Sequence, residues 1–125
     1  MIRIGTKRGL LLEANELARA IVDAAADKKA SNIVLLDLRQ VAPSADYFVV
    51  CSGQSARQVR AITRDVIKAI KKVGQYPLMV EGAPESGWVL VDFGAVVVHV
   101  FSPEVRTYYA LEELWQEAPV VVRIQ

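Results

Sequence analysis

Apolar residues recur at helical spacing in the first quarter of the chain. Leu17, Ile21, Ala24 and Ala25, with Lys28 next in register, return every three or four positions with charges between them, so the pattern predicts a helix over about 14–29. The rhythm then changes. Residues 33–37 and 47–51 are β-branched or apolar runs and read as strands. The loop Val41-Ala-Pro-Ser-Ala separates them, because Pro43 lacks a donor and restricts the residue before it. After the turn Ser52-Gly53-Gln54 the helical period returns. Ser55 and Gln58 have the spacing of a capping box, in which Ser55 accepts from the Gln58 amide and the Gln58 side chain reaches back. The helix behind it is predicted over about 56–72, stopping near Gly74. Strands follow over about 76–81, 88–93 and 96–101. Pro103 then opens a last helix that runs to about Trp115 and ends before Pro119. The order α-β-β-α-β-β-β-α brings strands together directly in two places. It predicts an α/β domain with a mixed five-stranded sheet and flanking helices.

The clearest local prediction is a hairpin. Phe93-Gly94-Ala95-Val96 suits a two-residue turn with Gly94 first, as a type II′ turn prefers. Phe93 then pairs with Val96, Asp92 with Val97, and Leu90 with His99. Because side chains alternate, one face carries Val89, Val91, Phe93, Val96, Val98 and Val100, which is a core face. The other carries Trp88, Leu90, Asp92, Val97, His99 and Phe101. Two readings of that mixed face stand side by side. One is a second core face under a helix, seeded by polar groups. The other is an exposed docking surface, since aromatic anchors with polar rims dominate interfaces. Asp92 and His99 are diagonal neighbours on it, close enough for their side chains to meet.

Composition limits the alternatives. The chain has 125 residues, 53% of them hydrophobic, enough for one domain that buries a core without a metal or disulfide staple. Three segments are expected: an N-terminal extension, 1–13, the α/β domain, 14–117, and a C-terminal extension, 118–125, with either extension disordered or adding an edge strand. The start is basic at Arg3, Lys7 and Arg8 but has too few apolar residues for a signal peptide. The apolar runs, 96–98 and 120–122 among them, are far too short to span a membrane. The single cysteine, Cys51, excludes an intrachain disulfide and agrees with a cytoplasmic location.

Net charge is only +1, so any nucleic-acid contact must come from a local patch. One candidate exists. Arg57, Arg60, Arg64, Lys68 and Lys71 recur at steps of 3, 4, 4 and 3 and form one stripe on the second helix, opposite Val59, Ile62, Val66, Ile70 and Val73. It is either a solvated helix face or a strip that contacts RNA phosphates.

Catalytic chemistry finds little support. With one histidine and one cysteine there is no zinc-type cluster. Ser52-Gly53-Gln54-Ser55 lacks both the lysine of a P-loop and the three glycines of a dinucleotide fingerprint. No Asp-x-Asp lies on any predicted strand, so two-metal phosphoryl transfer has no ligands. A hydrolase would have to use His99 and Asp92, and no serine has a nucleophile-elbow context. No cofactor, metal or catalytic residue is expected.

Four segments, taken together, carry a resemblance. They are Ala45-Asp-Tyr-Phe-Val-Val-Cys-Ser-Gly-Gln-Ser; Arg57-Gln-Val; Glu81-Gly with Gly87-Trp-Val-Leu-Val-Asp; and Val97-Val-His-Val-Phe with Arg106, Tyr109, Leu111, Glu112 and Trp115. In this order and spacing they resemble the ribosomal silencing factor family, also called Iojap-like, over about residues 14–116. The resemblance implies a nucleotidyltransferase-like topology without its catalytic carboxylates. It implies a partner, the large ribosomal subunit, engaged through its fourteenth ribosomal protein at the intersubunit face. Binding there keeps the small subunit from joining and represses translation when nutrients are scarce. Organellar members are linked to large-subunit assembly. Carried over to this chain, the docking residues are Trp88, Leu90, Asp92 and Phe93, with Trp88 as anchor, while Tyr109 and Trp115 hold the last helix to the sheet. Arg57, Arg60, Arg64 and Lys68 are the candidates for ribosomal RNA. One departure stands out: the family usually has Gly-Asp in the hairpin turn, and here it is Gly94-Ala95. An aromatic face without its partner can also self-pair, so a homodimer away from the ribosome is a further expectation.

Overall fold

The computed structural model describes residues 12–125. Most of the expected N-terminal extension, 1–13, therefore lies outside the described residues. Helix α1, Ala14–Asp27, leads into β1, Ser31–Asp37, and β2, Tyr47–Ser52. Helix α2, Ala56–Lys71, follows, then β3, Met79–Ala83, β4, Trp88–Asp92, and β5, Val96–Phe101. Two short helices, α3, Pro103–Tyr109, and α4, Leu111–Leu114, precede β6, Val120–Ile124. All strands join one mixed sheet in the order β3-β4-β5-β2-β1-β6. Among the described residues only β2 and β5 are parallel neighbours; every other pair is antiparallel.

Helices α1 and α2 cover one face. Leu17, Ile21 and Ala25 of α1 and Val59, Ile62, Val66 and Ile70 of α2 meet the inward residues of the central strands, all of them buried. Val73, which the helical spacing assigned to the same stripe, lies past the end of α2 and is 42% exposed. A smaller cluster on the opposite face joins Val34, Leu36, Leu38, Ala45 and Ala118, with Phe48, Val97 and Trp115 packed against it.

Three expectations need correction. The sheet has six strands, not five: β6 pairs antiparallel with β1, Ile33 facing Ile124 and Leu36 facing Val120, and so takes the edge-strand reading of the C-terminal segment. Its five residues are mostly exposed, so periodicity carried no burial signal there. The last helix breaks at Ala110, whose φ of 48° is left-handed. A continuous helix would put Arg106 and Glu112 about 120° apart around its axis. The break lets Glu112 return to Arg106, whose Nε and Nη2 donate to its two carboxylate oxygens at 2.8 and 2.9 Å. The third concerns the capping box. Ser55 Oγ accepts from the Gln58 amide as expected, but Gln58 Oε1 accepts from the Gln54 amide and not from that of Ser55. Gln58 Nε2 donates to the Lys29 carbonyl at 3.1 Å, so one side chain ties the start of α2 to the end of α1.

Candidate docking site

The hairpin forms in the expected register, with Trp88 opposite Phe101, Leu90 opposite His99 and Asp92 opposite Val97. Gly94 turns the chain at φ 92°, and the Phe93 amide donates to the Val96 carbonyl at 2.9 Å. The valine face is buried under the helices throughout, Phe93 included at 8% exposure. Phe93 thus sits on the helix-covered side of the sheet, away from Trp88. Asp92 also differs from expectation. Its Oδ1 accepts from the Gly94 amide at 2.7 Å and braces the turn, and it makes no bond to His99.

The mixed face is core at one end and open at the other. Toward the sheet centre it is core: His99 and Phe101 are buried. Phe48 lies edge-on to the imidazole at a centroid distance of 4.6 Å, and Trp115 lies edge-on to Phe48 at 6.1 Å. Toward β3 it opens. Trp88 and Leu90 are half-buried and line a groove of about 280 Å³ with Glu81, Gly82, Val105 and Tyr109. Tyr109 packs on the indole at 4.7 Å and remains 53% exposed, so it joins α3 to the sheet and also faces outward. Glu81 stands opposite Leu90 on the edge strand, beside Trp88, and forms no ion pair among the described residues.

Gly82 explains why β3 can lie so close. Its φ is 86°, and a Cβ there would come within 2.1 Å of the Trp88 carbonyl oxygen. Only glycine fits. The Glu81-Gly82 pair therefore sets the distance between the groove's edge strand and its central tryptophan. Spacing alone could not reveal this. The predicted strand at 76–81 was placed early, since Pro77 removes a donor and pairing with β4 begins at the Leu78 amide. β3 has no buried residue, so no alternation marked its register or put Glu81 beside Trp88.

His99 is bound inside this site. Trp88 Nε1 donates to His99 Nδ1 at 3.2 Å. Burial lowers the imidazole pKa from 6.5 to about 4. His99 is therefore neutral at pH 7 and can accept. Cys51 is equally unreactive, because burial pushes its thiol up to about 12.

The α2 stripe is exposed at all five cations. Two of them are engaged: Arg60 pairs with Glu85, and Arg64 meets Asp65, which also binds Lys28 at 3.2 Å. Arg57, Lys68 and Lys71 form no ion pair among the described residues. The stripe lies across α2 and shares no lining residue with the Trp88 groove. A second cleft of about 470 Å³ lies by Asn32, Ser52, Arg106, Glu112 and Arg123. Its Arg106 is already used, donating to Ser52 Oγ at 2.9 Å as well as to Glu112, whose carboxyl it holds below the usual range. Among the described residues no group of three His, Cys, Asp or Glu gathers in a metal-holding arrangement.

The fold is a mixed α/β sheet with a half-open aromatic groove at one edge. Comparison with known proteins names its family. The family model described as ribosomal silencing factor during starvation matches residues 12–125. A ribosomal silencing factor from Halalkalibacterium halodurans is 42% identical over 106 residues, covering 85% of this chain and 91% of that protein. The mouse mitochondrial assembly of ribosomal large subunit protein 1 is 41% identical over 73 residues, 56% of this chain and 32% of that longer protein. A crystal structure of a protein from Chromobacterium violaceum superposes with a TM-score of 0.81 at 37% identity, covering 84% of this chain and 88% of that one. The chain belongs to the ribosomal silencing factor family. The relatives' names describe regulation and assembly of ribosomes and no reaction.

Proposed function

We propose that this protein represses translation by sitting on the intersubunit face of the large ribosomal subunit, on its fourteenth ribosomal protein, where it keeps the small subunit from joining. The observation that carries this reading is the half-open groove around Trp88, the aromatic-lined concavity of the hairpin's mixed face. Trp88 is the anchor and Leu90 its aliphatic neighbour, with Glu81 and Tyr109 at the rim. Asp92 contributes by bracing the turn beside them and Phe93 by supporting the strand from the core side. Ala95 replaces a turn-tip acid, and an exposed pair is worth only about 0–1 kcal/mol, so docking survives its loss. Arg57, Lys68 and Lys71 are the cations best placed to touch ribosomal RNA. The fold is read as nucleotidyltransferase-like but not catalytic, with Asp92, the acid of its central hairpin, spent on a backbone amide. The place of action is the cytoplasm.

The test is co-sedimentation with separated ribosomal subunits. Wild-type protein is expected with large subunits and not with small ones. Trp88→Ala is expected to cost more than about 2 kcal/mol of binding while the fold persists. Absence of the wild type from the large-subunit fraction at low salt would sink the reading. A second role, in assembly of the large subunit, is favoured by the name of the mouse relative. Accumulation of immature large subunits in cells lacking the protein would support it.

A further inference from the structure

The indole N–H of Trp88 does not point into the groove. It is bonded to His99 Nδ1 at 3.2 Å, across the two strands of the hairpin. An indole nitrogen can only donate, so Nδ1 must be the unprotonated nitrogen of a neutral imidazole, and the proton sits on Nε2. Nε2 is buried and has no hydrogen-bond partner among the described residues. A buried donor left without a partner forfeits the hydrogen bonds that water would have given it. An apolar residue in place of His99 would avoid that cost, since the pocket around it is built from Phe48, Phe101 and Trp88 rings. What an apolar residue cannot do is accept from Trp88. The imidazole thus has one polar task that the structure displays, which is to hold the indole.

Other contacts leave the indole one freedom for this bond to remove. Phe101 packs against it at 5.0 Å and Tyr109 at 4.7 Å, both at tilted angles. Ring packing of this kind constrains the indole plane and is indifferent to which way the N–H points. The Nδ1 acceptor selects one orientation, with the N–H turned into the protein and the carbon edge left to the groove.

We propose that His99 is a positioning residue for docking: by accepting from Trp88 it fixes the indole so that the groove presents an apolar edge, and it acts on the partner only through Trp88. This rests on the docking reading given above. The partner group that fits is an aliphatic or methyl-bearing side chain that packs on the indole edge and asks for no hydrogen bond from it.

The variants are His99→Phe, which keeps a ring and removes the acceptor, and His99→Asn, whose side-chain oxygen can stand where Nδ1 was. Thermal unfolding first establishes that each is folded. In the free protein, the Trp88 indole N–H resonance is expected to shift and lose protection from solvent exchange in His99→Phe, and to recover in His99→Asn. Affinity for isolated large subunits is expected to fall roughly tenfold in His99→Phe, equivalent to about 1.4 kcal/mol, and to return toward wild type in His99→Asn. An unmoved indole resonance in folded His99→Phe overturns the proposal. So does an affinity equal to wild type despite a shifted resonance. Should His99→Phe fail to fold, His99→Asn alone decides: a wild-type resonance and affinity support the role, and a lost affinity with a wild-type resonance overturns it. Wild-type protein that does not bind large subunits removes the docking reading itself, an outcome distinct from wild type and His99→Phe binding equally.

Discussion

The two faces of the β4–β5 hairpin are built from the same ten or so residues and behave differently. On the helix-covered face Val89, Val91, Phe93, Val96, Val98 and Val100 are all buried, and not one side chain is polar. On the other face burial falls along the hairpin's width, from buried His99 and Phe101 to half-open Trp88 and Leu90. A uniform apolar face has one solution, a packed layer. A mixed face divides, with its polar groups at the boundary between what the protein covers and what it leaves open. Here that boundary is the Trp88–His99 bond.

The largest test of the contrast is a charge on each face. Val98→Asp puts a carboxylate among α1 and α2 side chains with nothing to pair it, and is expected to abolish cooperative unfolding, a loss of more than about 4 kcal/mol. Val97→Asp, one residue along and half-buried on the other face, should cost roughly 1–2 kcal/mol. Urea denaturation of both compares the faces directly, and similar losses would break the distinction.

The next effect is pH-dependent and belongs to the mixed face alone. His99 titrates near 6.5 unfolded and at about 4 folded. Between those values the unfolded chain binds the extra proton, so stability falls as pH is lowered from 6.5 to 4, by up to about 1.4 kcal/mol per unit and about 3 kcal/mol in all. Unfolding free energies at pH 7, 6 and 5 should show this slope in wild type and lose it in His99→Phe. Glu112, whose carboxyl Arg106 holds low, contributes in the other window, giving stability that disappears as pH falls further into the acid range.

A smaller effect concerns the cover over the mixed face. Ala110 is left-handed at φ 48° between α3 and α4. Ala110→Gly relieves that strain and should stabilise by about 0.5–1 kcal/mol, net of the added freedom of the unfolded chain. A raised melting temperature with unchanged subunit binding is the expected pair of results. Smallest of all is reversal of the α2 cations. Lys68→Glu with Lys71→Glu, in the last turn of α2, should lower the unfolding midpoint only slightly, by the loss of cations that favour the helix C-terminus. If the stripe touches ribosomal RNA, these changes weaken binding and flatten its salt dependence.

The valine face could be read from the sequence because a single rule, side-chain alternation, determined it. The helices were legible for the same reason: α1 and α2 end within a few residues of where their periodicity stops. The three misjudged segments share a different cause. β6, β3 and the α3–α4 break all depend on contacts that periodicity does not encode, respectively the free edge of β1, the close approach of Gly82 to Trp88, and the Arg106–Glu112 pair. The docking candidate was half legible. Trp88 and Leu90 were placed by parity. Glu81 was not, because its face depends on a register that begins at Leu78. Phe93 entered the docking set through the family resemblance, while parity put it on the core face, where it is buried.

The parallel pairing of β2 with β5 bears on how the chain finds this arrangement. These two strands are separated by α2 and the entire β3–β4 ribbon, and they sit at the centre of the sheet, Val49 beside Val98. The hairpin and the helices can each begin from near neighbours, whereas this seam requires a long loop to close before any contact rewards it. Its formation should therefore set the speed of refolding. In stopped-flow kinetics Val49→Ala is expected to slow folding, and Val120→Ala, at the free edge, to act mainly by hastening unfolding. The strand that delivers His99 to Trp88 would then be the one whose arrival commits the chain to its native state.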